Sequence, residues 1–512
     1  MAGGRRIWVA LIIVVVLVFG GCPLALYLYD LRWEKRLAEK EEELRERGIA
    51  LTVEEFRAQR DMPPPAENSA LIFQDLVHVP EDEEATAAAQ VASMLRGAAD
   101  FGAKPSDGAR VLMRQCLAEN SETLAIIRRG AELRRGAYPL PPNPGPATLM
   151  PHLEPLRSAT RLCVAEAVLM AAEGDSAGVA ICLRNARRVA ASLNEPVSLI
   201  EALVRIAVGS ITADGIEQTL GLCEMPPDSL AMLRRELQAE DAEFSMADAW
   251  QGELALFYWP VFRDPGQAGA LMGGRQSSYE VLRLIPGFLE QNAFVYLELL
   301  GGAIDACQLP LDERLSATRR LMDRIEEKAA GSRRYFLVAM LFPSVNRATE
   351  SAIESHVRLR VADAALAVEQ WRMEHGEWPD SLEQLVGGGL ETVPEDPFSS
   401  GKLLYRRTDG GVVLYSVGPD GQDNEGRGRE EMEAEAGPRT EQYDIRFRLL
   451  DPERRGAETS SFLRDLDESG IEMQTLEEAG ITRDDLRTLG LTDETMRRVE
   501  LFGRWVEPEQ SP

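Results

Sequence analysis

The sequence predicts a mainly α-helical protein in four parts: an N-terminal transmembrane helix, a large helical body, a small α+β module and a short helical C-terminal module. Three observations carry that prediction. An uncharged apolar run occupies Ile7 to Tyr29, helical periodicity cut by Pro and Gly clusters fills residues 67–350, and strand-like runs bounded by turn residues follow residue 400.

The bulk composition bounds the possibilities. At 512 residues the chain exceeds one ordinary core, so about two to four domains are expected. A net charge of −28 excludes nucleic acid as a partner, because neutralising phosphates needs clustered Lys and Arg. The same charge disfavours adsorption to anionic lipid surfaces. The six cysteines, at 22, 116, 163, 182, 223 and 307, include no CxxC pair, which leaves zinc knuckles and thioredoxin-like chemistry without support. His78, His152, His356 and His375 are scattered, and no nucleophile–base spacing emerges. No catalytic residue is assigned.

Residues 1–6 form a short tail and residues 7–29 the anchor; a bilayer span needs about 20 apolar residues. Trp8 marks one end of the run, and Tyr27, Tyr29 and Trp33 mark the other. Arg5 and Arg6 precede the run, but Arg32, Lys35 and Arg36 follow it, so the positive-inside signal is mixed. The preferred topology is single-pass, with a cytoplasmic N-terminus and the body on the periplasmic side of a bacterial inner membrane. "FGGC" at Phe19 to Cys22 offers a second reading, a lipobox with Cys22 lipidated. Against it, the apolar run continues through "PLALYLY", where a cleavable signal would have ended.

Residues 30–60 are expected to be a charged stalk helix. "DLRWEKRLAEKEEELRERG" carries i, i+4 pairs such as Glu41 with Arg45, and its apolar positions are too few for a long coiled coil. "MPPPAENSA" then breaks the chain. Within the helical domain at 67–350, Leu156 to Leu193 reads as two apolar helices flanking "EGDS". Ala167, Met170, Gly174, Leu183 and Ala186 allow a tetratricopeptide-like hairpin, and a plain antiparallel helix pair is the simpler reading. Glu166, Glu201 and Glu217 sit at helical spacings where carboxylates usually form the wet face, so no paired-carboxylate site is drawn from them.

At Ser351 the pattern changes. Val357, Val361, Ala364, Ala365, Val368 and Trp371 form a helical stripe, which Gly376 can stop in a left-handed conformation. "WPDSLEQL" begins a short helix with Asp380 or Ser381 at its cap. Leu403–Arg407 and Val412–Val417 flank "TDGG", a hairpin signal, and "YDIRFRL" supplies a third strand. Residues 351–450 are therefore expected to pack one long helix on a three-stranded antiparallel sheet.

The order helix, "HGEWPDSLEQL", "DPF", hairpin, "YSVGPDG", acidic loop and "YDI" resembles the C-terminal globular region of the major pseudopilin of type II secretion, over about 351–449. That family carries a Gly-x-Tyr/Trp-Pro turn, an Asp-Pro-aromatic strand entry and a Gly-x-Asp-Gly loop ending in Asp-Ile. The resemblance implies a structural Ca2+ held by Asp420 and Asp444, with Asp423 or Glu425 adding a third carboxylate; calcium takes six to eight oxygen ligands from such loops. This chain departs from the family in three ways. "QYDI" has one acid where the family has two, "EEMEAEAG" lengthens the loop, and the N-terminal helix lacks a prepilin cleavage motif. A filament subunit is not expected. The whole layout also resembles long membrane-anchored bacterial envelope proteins that share "LT..EF....MPPPAENSA", a resemblance that implies a location and no activity.

The tail repeats every ten residues: "LDESGIE" at 466, "LEEAGIT" at 476 and "LRTLGLT" at 486. A helical module over 457–507 follows, and its second half resembles a sterile alpha motif, which implies protein binding. Three functions stand from the sequence. The first is a non-enzymatic, membrane-anchored scaffold or protein-binding protein. The second is an accessory component of a type II secretion or pilus-like system, and the third is a hydrolase with a site in the helical body.

Overall fold

The computed structural model describes residues 22–78, 101–105, 107–141, 148–264, 282–329, 333–339, 342–399, 401–436 and 442–458. Most of the expected anchor and nearly all of the tail module lie outside these residues. Among the described residues, no helix is long and apolar enough to cross a membrane.

The protein is mainly helical with a small three-stranded antiparallel sheet. The principal helices are α1 (Cys22–Glu46), α2 (Val53–Gln59), α3 (Asp107–Glu119), α4 (Ser121–Ala131), α5 (Leu153–Glu173), α6 (Ser176–Ala191), α7 (Leu199–Leu222), α8 (Pro227–Glu243), α9 (Met246–Glu253), α10 (Phe288–Cys307), α11 (Leu311–Ala329), α12 (Phe342–His375) and α13 (Arg429–Ala436). The strands are β1 (Ala103–Lys104), β2 (Leu404–Thr408), β3 (Gly411–Ser416), β4 (Ile445–Leu450) and β5 (Ala457–Glu458). The meander runs β2-β3-β4, while β1 pairs with β5 in parallel.

The hairpin turns at Asp409–Gly410, as the sequence predicts, with Thr408 opposite Gly411. On β4, Ile445, Phe447 and Leu449 point inward, alternating with half-buried Arg446, Arg448 and Leu450. Gly376 ends α12 with φ of 77°.

Two apolar cores organise the molecule. One joins α5–α8 to the sheet through Leu183, Ile216, Val361, Leu414 and Phe447. The other gathers Leu37, Leu44, Trp250, Tyr258, Tyr296 and Leu321. Helix α12 threads both, with Val345, Ala348 and Ala352 in the second core and Ile353 onward in the first. The expected start of a separate module at 351 therefore falls inside a continuous helix, because the stripe that covers the sheet extends back to cover α11.

The expected solvated stalk is likewise packed. Leu37 and Leu44 of α1 are fully buried. The charged residues between them hid this seam in the sequence, and their polar ends are satisfied locally. Glu41 accepts hydrogen bonds from the Tyr258 hydroxyl and the Arg263 guanidinium. Both donors lie on a π-helical stretch, Leu254–Arg263, whose wide turns accommodate Pro260. The short parallel pair β1–β5 also went unseen, since two residues give no periodicity.

Candidate functional site

The molecule has two acid-rich regions, the first being the loop around Asp420 and Asp444. Asp444 is buried, and its carboxylate accepts the backbone N–H of Gly426 (2.7 Å) and of Asn424 (3.1 Å). Burial pushes its carboxyl above the ordinary range; the two amides pull it back, and the nearby Asp423 adds to the rise. Asp420 accepts from Gln422 N–H at 3.1 Å, and Asp423 from Glu425 N–H at 2.8 Å. Glu425 turns outward with φ of 62° and pairs with Arg406 at 3.2 Å. The structure thus brings Asp444 to the loop, as expected, and gives all four carboxylates protein donors. Among the described residues, no three His, Cys, Asp or Glu side chains group as a metal would require. As arranged, the donor set fits an amide-held turn rather than a calcium cage.

Asp396 of "DPF" holds the other end of the same turn. It is buried and accepts from Ser416 Oγ (2.7 Å), Val417 N–H (3.0 Å) and Phe398 N–H (3.0 Å). The sequence marked it only as a strand entry.

The second region is a cleft of about 280 Å³ lined by Phe56, Gln59, Arg60, Asp61, Glu195, Pro196, Asp248 and Gln251. Three chain segments build it. A capping box between Thr52 and Glu55 starts α2 and delivers Arg60 and Asp61 at its far end. "ENSA" fixes the following chain, because buried Asn68 donates to Ala137 C=O (2.9 Å) and accepts from Ala137 N–H (3.0 Å). The 195–198 loop is held from behind by Glu201, which accepts from Val197 N–H (2.7 Å) and lies 3.1 Å from His152 Nε2, with His152 stacked on Tyr138. Helix α9 brings Asp248 and Gln251. It approaches so closely that a Cβ on Gly252 would lie 2.1 Å from Val197 O.

The electrostatics of this cleft are frustrated. Arg60 donates to the backbone carbonyls of Tyr138 (2.8 Å) and Glu195 (3.0 Å), not to a carboxylate. Its buried Nε has no hydrogen-bond partner. Asp248 accepts no side-chain hydrogen bond from the described residues, and burial pushes its carboxyl up against the pull of Arg205 and Arg60. Burial raises Glu195 too; Asp61 and Asp248 add to the rise, while Arg60 and Arg135 oppose it. Arg135 bridges Asp61 (2.7 Å) and Glu195 (3.4 Å) at the rim. Behind the cleft, burial lifts Glu253 to about 7 although it accepts Leu199 N–H.

The sequence did not reveal this site. Asp61, Glu195 and Asp248 are far apart in the chain, and each resembles a wet-face acid. The capping box before Arg60 was the one local signal. Glu166, Glu201 and Glu217, set aside earlier, are each matched by a partner, respectively Arg128, His152 and Arg448.

No family model, curated protein or solved structure matches this chain.

Proposed function

We propose that this chain is a membrane-anchored binding protein of the bacterial envelope, whose body receives a basic group of a partner protein in the Asp61–Glu195–Asp248 cleft. The observation that carries this reading is the set of three carboxylates facing one cavity with a single lining arginine, whose donors are turned to backbone carbonyls. A guanidinium or ammonium entering there would relieve like-charge repulsion and supply the donors that Asp248 lacks. The cavity is of a size for one such side chain. The anchor at 7–29, with a cytoplasmic N-terminus and a periplasmic body, completes the reading; a topology reporter fused after residue 60 tests it.

Binding is tested by titrating the full chain, in detergent, with short arginine- or lysine-bearing peptides at pH 5 and pH 8. Association should strengthen as pH rises, because burial holds the cleft carboxyls above their ordinary range, and Asp248→Asn should weaken it. Equal affinity at both pH values, or in the variant, would refute the cleft as the site.

A second reading, an accessory component of a type II secretion-like system, is favoured by the helix-on-meander packing of α12 over β3 and β4. It rests on analogy of fold, which does not by itself carry function.

A further inference from the structure

The end of the molecule where the apolar N-terminal run enters carries an apolar surface contributed by the body itself. Helices α1 and α10 lie side by side and point the same way, as a series of contacts in matching order shows. Tyr29 accepts from Gln291 (3.0 Å), Trp33 packs on Phe294, Leu44 faces Gly301, and Arg47 pairs with Asp305. Both helices therefore start at the same end. The Asp30 carboxylate accepts Gly287 N–H (2.7 Å) and fixes the turn that precedes α10 beside the first turns of α1.

That turn presents Leu284, 80% exposed, with Ile285 next to it, and the first turns of α1 present Leu28, which is 55% exposed. Arg283 and Arg334 are exposed around them, and Arg334 lies over the Tyr29 ring. On a chain with a net charge of −28, this is an apolar tip flanked by two arginines, with Asp30, Glu34 and Glu290 close behind it. It is also continuous with a sequence long and apolar enough to span a bilayer.

We infer that the body rests on the membrane through the Leu284–Ile285 turn, with the occupant of this surface being the lipid interface rather than another protein. The inference builds on the anchor reading and adds a second contact that fixes how the body sits. Aliphatic side chains enter the acyl boundary while arginines reach the headgroups, an arrangement that interfacial segments share.

The test uses the full chain with Cys22→Ser, Cys223→Ser and Cys307→Ser, reconstituted in vesicles containing spin-labelled phosphatidylcholine. A fluorophore on Leu284→Cys should shift to the blue and be quenched by spin labels near the headgroup. The same fluorophore on Leu149→Cys, an equally exposed leucine elsewhere, should not be quenched. Val14→Cys, quenched by deep spin labels, reports the anchor separately. Quenching at 14 without quenching at 284 would overturn the seat and keep the anchor, while quenching at 284 alone would keep the seat and refute the span. A blue shift at 284 without quenching would mean a protein partner, such as a second copy, and would overturn the inference. So would equal quenching at 149 and 284, or none at any position.

Discussion

The loop around Asp444 and the cleft around Asp248 are both rich in carboxylates, but they treat those carboxylates in opposite ways. In the loop, each acid has a nearby donor: Asp444 holds two backbone amides, and Asp420 and Asp423 each hold an amide two residues ahead. In the cleft, Arg135 pairs with Asp61 and Glu195 at the rim, but Asp248 accepts no side-chain hydrogen bond from the described residues, and the lining arginine donates to carbonyls. Density of charge in the sequence is greater in the loop; unmet electrostatic demand is greater in the cleft. The supply of donors, rather than the number of acids, separates a structural turn from a receptive site.

Four experiments bear on this difference between loop and cleft. The largest effect is expected from Asp444→Ala, which leaves the amides of Asn424 and Gly426 without their acceptor and should lower stability by about 3 kcal/mol in urea denaturation. A neutral result would mean that the loop does not depend on its aspartate.

Glu253→Gln should act in the opposite direction. Because burial raises the folded pKa to about 7 from an ordinary 4.5, the carboxylate disfavours folding above that value, and the penalty disappears as pH falls below 4.5. The variant should therefore gain up to about 3 kcal/mol at pH 8 and little near pH 4.5. A gain independent of pH would show that packing, not charge, is responsible.

Asp248→Asn follows the same sign with a smaller effect. Burial raises the folded pKa, which means a penalty present at neutral pH and lost in acid, so removing the charge should raise the urea midpoint at pH 8 and leave it unchanged in acid. Destabilisation would show that Asp248 has a structural partner and would weaken the cleft as a binding site. The smallest effect is expected from calcium. With the loop carboxylates already given to protein donors, millimolar Ca2+ should leave the Tm of the full chain unchanged. A rise that Asp420→Ala abolishes would restore a metal to the loop.

The sequence made the sheet module most legible, because its signals are local. The Asp409–Gly410 turn sits between two alternating runs, the Val357–Trp371 stripe is periodic, and Gly376 stops the helix. Asp444 lies against the loop, and what it holds there is backbone. The burial of α1 was not legible, since Glu41 within the seam is charged and its donors, Tyr258 and Arg263, lie more than two hundred residues away. The cleft was hidden for the same reason: its three acids come from separate chain segments that only tertiary packing brings together.

The attachment of α1 along α10 has a mechanical meaning. A helix clasped at Tyr29, Trp33, Glu41 and Arg47 cannot swivel like a flexible tether. From Tyr29 to Glu46 it rises about 25 Å, and the chain then turns into the segment that carries Arg60 and Asp61. Along that length α1 acts as a rigid spacer, fixing the distance between the Leu284–Ile285 turn at its start and the turn at Arg47–Gly48 at its end.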